Sequence, residues 1–117
     1  MAKRILLVED EEDILSLYKD VLESEGYIVE CARTGIEGVE KFKHSEFDLV
    51  ILDIRMPQMD GIEVLGRILN EKKDTKIIIN SAYGSYKDNF LTWGADAYLI
   101  KSSSTETLIN KVKELIG

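Results

Sequence analysis

Hydrophobic positions follow two alternating rhythms along the chain: short unbroken apolar runs, and longer stretches in which apolar residues recur every three or four positions. The clearest run is Leu49-Val50-Ile51-Leu52, which closes on Asp53 and leads into Ile54-Arg55-Met56-Pro57-Gln58-Met59-Asp60-Gly61. Such a run is too short for an ordinary helix and reads as a strand buried on both faces, as in a parallel sheet. The Pro and Gly behind it turn the chain away. Similar runs at Arg4 to Val8, Tyr27 to Ala32, Ile77 to Ile79 and Ala97 to Ile100 complete five predicted strands.

Helical spacing fills the intervals. Ile14, Leu17, Tyr18, Val21 and Leu22 form one predicted face, with Gly26 as the C-cap. Thr34 and Glu37 make a capping box for a helix running to about Lys43, with Ile36, Val39 and Phe42 toward the core. Asp60 and Glu63 make a second box ahead of Ile62, Leu65, Ile68 and Leu69. A short helix is predicted from about Tyr86 to Thr92, stopped by Gly94. A last one, capped from Ser102-Ser103-Ser104, carries Leu108, Ile109, Val112, Leu115 and Ile116 on one face. Strand and helix alternate five times, which predicts an α/β parallel sheet with helices on both faces, since parallel strands need right-handed helical crossovers.

The chain's 117 residues are 44% hydrophobic, enough for one domain with a single core. A formal net charge of -7 argues against a nucleic-acid surface here, because neutralising phosphates takes clustered Lys and Arg. Cys31 is the only cysteine, which excludes an internal disulfide and a thiolate metal site and fits a reducing cytoplasm. Lys3 and Arg4 precede an apolar run too short for a signal peptide, and no run is long enough to span a membrane. His44, the one histidine, reads as a solvated helix-end residue and receives no role.

The polar residues at the strand ends change the picture. Glu9 and Asp10 follow the first strand, Asp53 ends the third, Ser81 follows the fourth and Lys101 the fifth. A parallel sheet gathers such ends at its carboxyl edge, where open α/β sheets bind ligands. Singly, each has an ordinary reading: a solvated helix start, a turn serine, a loop lysine. Together they place three carboxylates, a hydroxyl and an ammonium in one crevice. Carboxylates about 4–5 Å apart repel by several kcal/mol at an effective dielectric near 20, so a dication is the natural resident. All-oxygen donors in small number suit Mg²⁺ and phosphoryl oxygens. The implied chemistry is phosphoryl transfer, with Asp53 the nucleophile, Lys101 and Mg²⁺ neutralising charge, and Ser81 donating a hydrogen bond to a phosphoryl oxygen.

The sequence resembles the receiver domain of two-component response regulators over its whole length. The match is carried by Leu6-Leu7-Val8-Glu9-Asp10-Glu11, Leu52-Asp53-Ile54-Arg55-Met56-Pro57-Gln58-Met59-Asp60-Gly61, Ser81-Ala82-Tyr83-Gly84 and Gly94-Ala95-Asp96-Ala97-Tyr98-Leu99-Ile100-Lys101. The resemblance implies a flavodoxin-like doubly wound sheet of order 2-1-3-4-5 and one receiver unit over 1–117, either stand-alone or part of a longer protein. It also implies a cytoplasmic signalling phosphoacceptor that catalyses only its own phosphorylation and dephosphorylation. Asp53 accepts phosphorus from a sensor histidine kinase or phosphotransfer protein; Asp10 and Asp53 ligate Mg²⁺ with the Arg55 carbonyl, and Glu9 acts through a water on the ion. Ser81 and Tyr98 match the family's switch pair, against the plain reading of Tyr98 as a half-buried strand aromatic. In the family the switch remodels the face of the fourth helix, fifth strand and fifth helix, which an effector or a second copy then meets. A change from mostly off to mostly on requires roughly 5 kcal/mol of differential stabilisation.

Two departures from the family pattern stand out. Ser102 replaces the usual Pro after the lysine, where a cis non-proline bond would cost about 3–4 kcal/mol, so a trans bond and a rearranged loop near Lys101 are expected. The segment between Ser81 and Lys101 is also roughly two residues short, which predicts a short or irregular fourth helix. Rival readings fare worse. A flavin binder wants a Ser/Thr/Gly-rich phosphate loop where Glu9 to Asp13 stand. An Asp-nucleophile phosphatase wants an acid two residues after Asp53, where Arg55 stands. A receiver-like module that is never phosphorylated would not need the full acidic set and Lys101.

Overall fold

A computed structural model of the chain describes residues 2–54, 61–71, 74–82, 94–101 and 104–117. The elements in order are β1 (Arg4–Val8), α1 (Glu12–Ser24), β2 (Ile28–Ala32), α2 (Gly35–His44), β3 (Leu49–Asp53), α3 (Gly61–Asn70), β4 (Lys76–Ser81), β5 (Ala97–Ile100) and α4 (Thr105–Ile116). The helix predicted at 86–92 and the box residue Asp60 lie outside the described residues, so α4 names the last helix.

The strands form one parallel sheet in the order β2-β1-β3-β4-β5. Central β3 is buried at all five positions, as its apolar run requires. Alternation along the strands builds two cores. Leu6, Val8, Val50, Leu52, Ile77 and Ile79 face α2 and α3, where Val39, Phe42, Val64, Leu65 and Ile68 meet them. Ile5, Leu7, Leu49, Ile51 and Ile78 face α1 and α4, packing on Leu15, Tyr18, Leu22, Leu108 and Val112. Truncating a buried side chain such as Ile51 to Ala costs about 2–5 kcal/mol.

Local signals explain most element ends. Thr34 Oγ1 accepts the Glu37 amide at 3.1 Å, and the Glu37 carboxylate reaches back to the amide of Arg33, one residue earlier than an ideal box. Ser104 caps α4 by accepting the Thr107 amide at 3.2 Å. Gly26 follows α1 at φ +97°, the left-handed conformation that ends helices. Gly38 lets α2 approach the end of β1, since a Cβ there would sit 2.9 Å from Val8 Cγ2.

Three predicted core positions are corrected. Leu17, Ile36 and Leu69 are 49%, 50% and 40% exposed, while Leu15 and Val64, unclaimed by the periodicity, are buried. In α1 two adjacent stripes are both apolar, and the one through Leu15, Tyr18 and Leu22 meets the sheet. The side chain of Ile62 falls outside the described set. Among the described residues, no helix is long and apolar enough to cross a membrane.

Candidate functional site

Four of the five strands deliver a polar side chain to the carboxyl edge of the sheet. β1 runs straight into Glu9, whose amide bonds the Ala32 carbonyl at 2.9 Å and so extends the β1–β2 ladder by one residue. Asp53 is the last residue of β3 and Ser81 the last of β4. Lys101 follows β5 directly, its amide held by the Ser81 carbonyl at 2.7 Å. Glu9, Asp53 and Ser81 are at most 1% exposed.

Lys101 joins these ends. Its Nζ lies 2.9 Å from Asp53 Oδ2, 3.1 Å from Glu9 Oε1 and 3.5 Å from Glu11 Oε1. The Lys101 side chain is only 9% exposed, and those of Glu9 and Asp53 are 2% and 1% exposed. The ammonium lies in contact with both buried carboxylates, despite Ser102 behind it. Ser102 itself and the Lys101–Ser102 bond lie outside the described residues, as does Arg55.

The electrostatics follow from crowding. Burial pushes the Glu9 carboxyl up to about 7, helped by its hydrogen bond with Asp53 and by the charge there; the Glu11 amide and Lys101 oppose the rise. Burial alone would lower the Lys101 pKa, but hydrogen bonds and charges from Asp53 and Glu9 outweigh it and raise the value. One ammonium thus serves two buried acids, and the site holds a surplus of negative charge.

Glu9, Asp10 and Asp53 each offer a carboxylate oxygen, and these oxygens lie within 4.8 Å of one another. Oxygen-only donors around surplus negative charge fit a hard divalent cation, with Asp10 on the solvent side. Tyr98 is 8% exposed and packs in the core that faces α2 and α3, in register with Ile79 of β4. Ser81 is in register with Ile100.

The model of the response regulator receiver domain family matches residues 5–113. The chain belongs to that family. This receiver domain is 37% identical over 115 residues to the transcriptional regulatory protein TrcR of Mycobacterium tuberculosis, covering 97% of this chain and 45% of TrcR. It is equally similar to ResD of Bacillus subtilis, where the match covers 97% of this chain and 48% of ResD. The chain therefore spans about half the length of the curated relatives it matches. Among solved structures it is similar to response regulator TrrA of Thermotoga maritima in complex with Mg²⁺-BeF, at 47% identity and TM-score 0.89, covering 97% of this chain and 98% of that one. A CheY-like receiver domain protein from Methanospirillum hungatei JF-1 gives 39% identity and TM-score 0.92, covering 97% and 93%.

The flavodoxin-like order 2-1-3-4-5 expected from the resemblance is the order observed. Of the seven site residues predicted, the receiver brings Glu9, Asp10, Asp53 and Lys101 into one cluster and sets Ser81 beside it. Sequence reasoning passed over two neighbours. Glu11, quoted at the end of the first family motif and given no role in the site, touches Lys101 and gives its amide to Glu9 Oε2 at 3.1 Å. Asn80, next to Ser81, is 3% exposed and gives a hydrogen bond to Tyr18 of α1. Its only signal was a polar residue directly after Ile77-Ile78-Ile79.

Proposed function

We propose that this receiver takes a phosphoryl group onto Asp53 from the phosphohistidine of a sensor histidine kinase or phosphotransfer protein in the cytoplasm. The observation that carries the reading is the contact of Lys101 Nζ with Asp53 at 2.9 Å beside three mutually close carboxylates. In the reaction an Asp53 carboxylate oxygen attacks phosphorus, a P–O bond forms, the P–N bond breaks and the imidazole leaves. Lys101 holds the acceptor carboxylate and then a phosphoryl oxygen, without moving far from either. By the family resemblance Asp10 and Asp53, with the Arg55 carbonyl, would hold Mg²⁺, and Glu9 would act through a water on it; the ion would supply positive charge to the transferring group. The relative TrrA, solved with Mg²⁺-BeF, supports that choice of ion.

Ser81 and Tyr98 are the pair through which the new charge changes the domain's shape, presenting the face around β5 and α4 to an effector or a second copy. Residues 1–117 act as one receiver unit that turns over no other substrate. The test is intact-mass spectrometry after incubation with acetyl phosphate and Mg²⁺. A labile phosphoryl adduct, absent in Asp53→Asn and absent without Mg²⁺, is the expected result; an unmodified wild-type chain refutes the reading.

A further inference from the structure

β4 breaks its own pattern one residue before Ser81. Ile78 packs in the core facing α1, and two positions on, Asn80 occupies the same side of the strand with 3% exposure. Its Nδ2 donates to Tyr18 Oη at 3.1 Å, across 62 positions of sequence. Tyr18 is 7% exposed and packs among Leu15, Leu22, Ile51 and Ile78. An apolar pair would fill this space with no polar group to satisfy, and replacing both partners of a buried hydrogen bond by apolar groups is often close to neutral. A sequence that keeps such a pair breaks a local rule, and rules are broken chiefly at functional sites.

The position explains what the pair does. In the β3–β4 register Asn80 stands directly opposite Asp53, and registered residues of adjacent parallel strands point to the same face. The amide thus flanks the acceptor carboxylate on the side facing α1. At its other end the bond is anchored in α1, which begins at Glu12 immediately after Glu9, Asp10 and Glu11. One hydrogen bond therefore ties the helix carrying the acidic loop to the strand that neighbours Asp53 and ends in Ser81.

Building on the phosphoacceptor reading, we propose that Tyr18 and Asn80 are positioning residues for the reaction at Asp53. Their bond fixes the separation between the acidic loop and the β3–β4 strand ends, so that nucleophile, acids and hydroxyl keep one geometry. Small misplacements of reacting groups slow reactions out of proportion to the stability lost.

The experiment measures the rate constant for phosphorylation of the 117-residue chain by acetyl phosphate at saturating Mg²⁺, together with melting temperature, for wild type, Tyr18→Phe, Asn80→Leu and the double variant. Each single change is expected to slow phosphorylation about five- to tenfold. The double variant should be no slower than the slower single, because both remove the same bond, and should recover part of the melting temperature. Single variants that melt lower yet react within about twofold of wild type would show a purely structural pair and overturn the proposal; so would slowing that multiplies in the double. Should a single variant fail to fold, the apolar double variant decides the matter by the same rate comparison. A wild-type chain that takes up no phosphoryl group sinks the Asp53 reading itself, whereas a reactive wild type matched by its variants sinks the positioning role alone.

Discussion

The two edges of the sheet treat carboxylates in opposite ways. At the amino edge, Asp48 Oδ2 accepts the Arg4 amide at 2.8 Å and Asp96 Oδ2 accepts the Ile77 amide at 2.8 Å. Arg4 pairs with Glu30 and lies over the Phe47 ring, 5.4 Å from its centroid. Acids there complete the backbone ladder where strands begin. At the carboxyl edge, Glu9 and Asp53 are more deeply buried and lean on one lysine and on each other. The same residue types thus stabilise one edge and store repulsion at the other. Repulsion held in place by a rigid sheet suits the carboxyl edge to a cation.

Substitution of the central acid gives the sharpest contrast. Asp53→Asn should abolish phosphorylation by acetyl phosphate, while Asp96→Asn, at the other edge, should leave the rate within about twofold of wild type, because it lies outside the reacting geometry. Parallel intact-mass time courses check both. The cations differ next. Lys101→Met strands two buried carboxylates and should cost about 3 kcal/mol in metal-free urea unfolding. Arg4→Met breaks a half-exposed pair and should cost under about 1 kcal/mol. Equal losses for the two would erase the distinction between the edges.

Much of this contrast was legible in the sequence, for reasons that differ by residue. Buried parallel strands need unbroken apolar runs, so Leu49 to Leu52 announced β3, and the fold class put Asp53, Lys101 and Glu9 at one edge before any coordinates. Helix faces were less legible: α1 has apolar residues on two stripes, and only the packed sheet selects Leu15 over Leu17. Ile36 and Leu69 misled for a related reason, since spacing shows that a helix has an apolar side but not how wide a strip the sheet covers. The Tyr18–Asn80 bond was out of reach, because neither residue carries a local signal for a partner 62 positions away. The amino-edge acids Asp48 and Asp96 received no role from the sequence, because a carboxylate that serves a backbone amide leaves no mark in composition.

Proton linkage separates the edges in a smaller way. Glu9 titrates at about 7 in the folded chain against its usual 4.5, so between those values the folded state keeps a proton that the unfolded state has released. Its contribution to stability is complete below about 4.5 and is lost as pH rises through about 7. Metal-free wild type should therefore lose stability relative to Glu9→Gln between pH 5 and pH 8, measured by urea unfolding in chelator. Mg²⁺ should offset the loss, because ion binding uses the carboxylate form. A wild-type minus Glu9→Gln difference that stays constant with pH would mean that the crevice does not hold the proton.

The finest test concerns the kind of bond each edge relies on. Asp48→Ala leaves the Arg4 amide at the start of β1 without its acceptor, and an unpaired, partly buried amide costs about 1–2 kcal/mol. Asp48→Asn keeps an oxygen at the same place and should cost no more than about 0.5 kcal/mol, since the bond needs an acceptor and not a charge. At the carboxyl edge charge is the expected working quantity, and the corresponding Asp53→Asn change should abolish phosphorylation. Urea unfolding of the two Asp48 variants therefore asks whether the amino edge depends on hydrogen-bond geometry alone. A loss in Asp48→Asn as large as that in Asp48→Ala would show that charge matters there too, and that the edges differ in degree and not in kind.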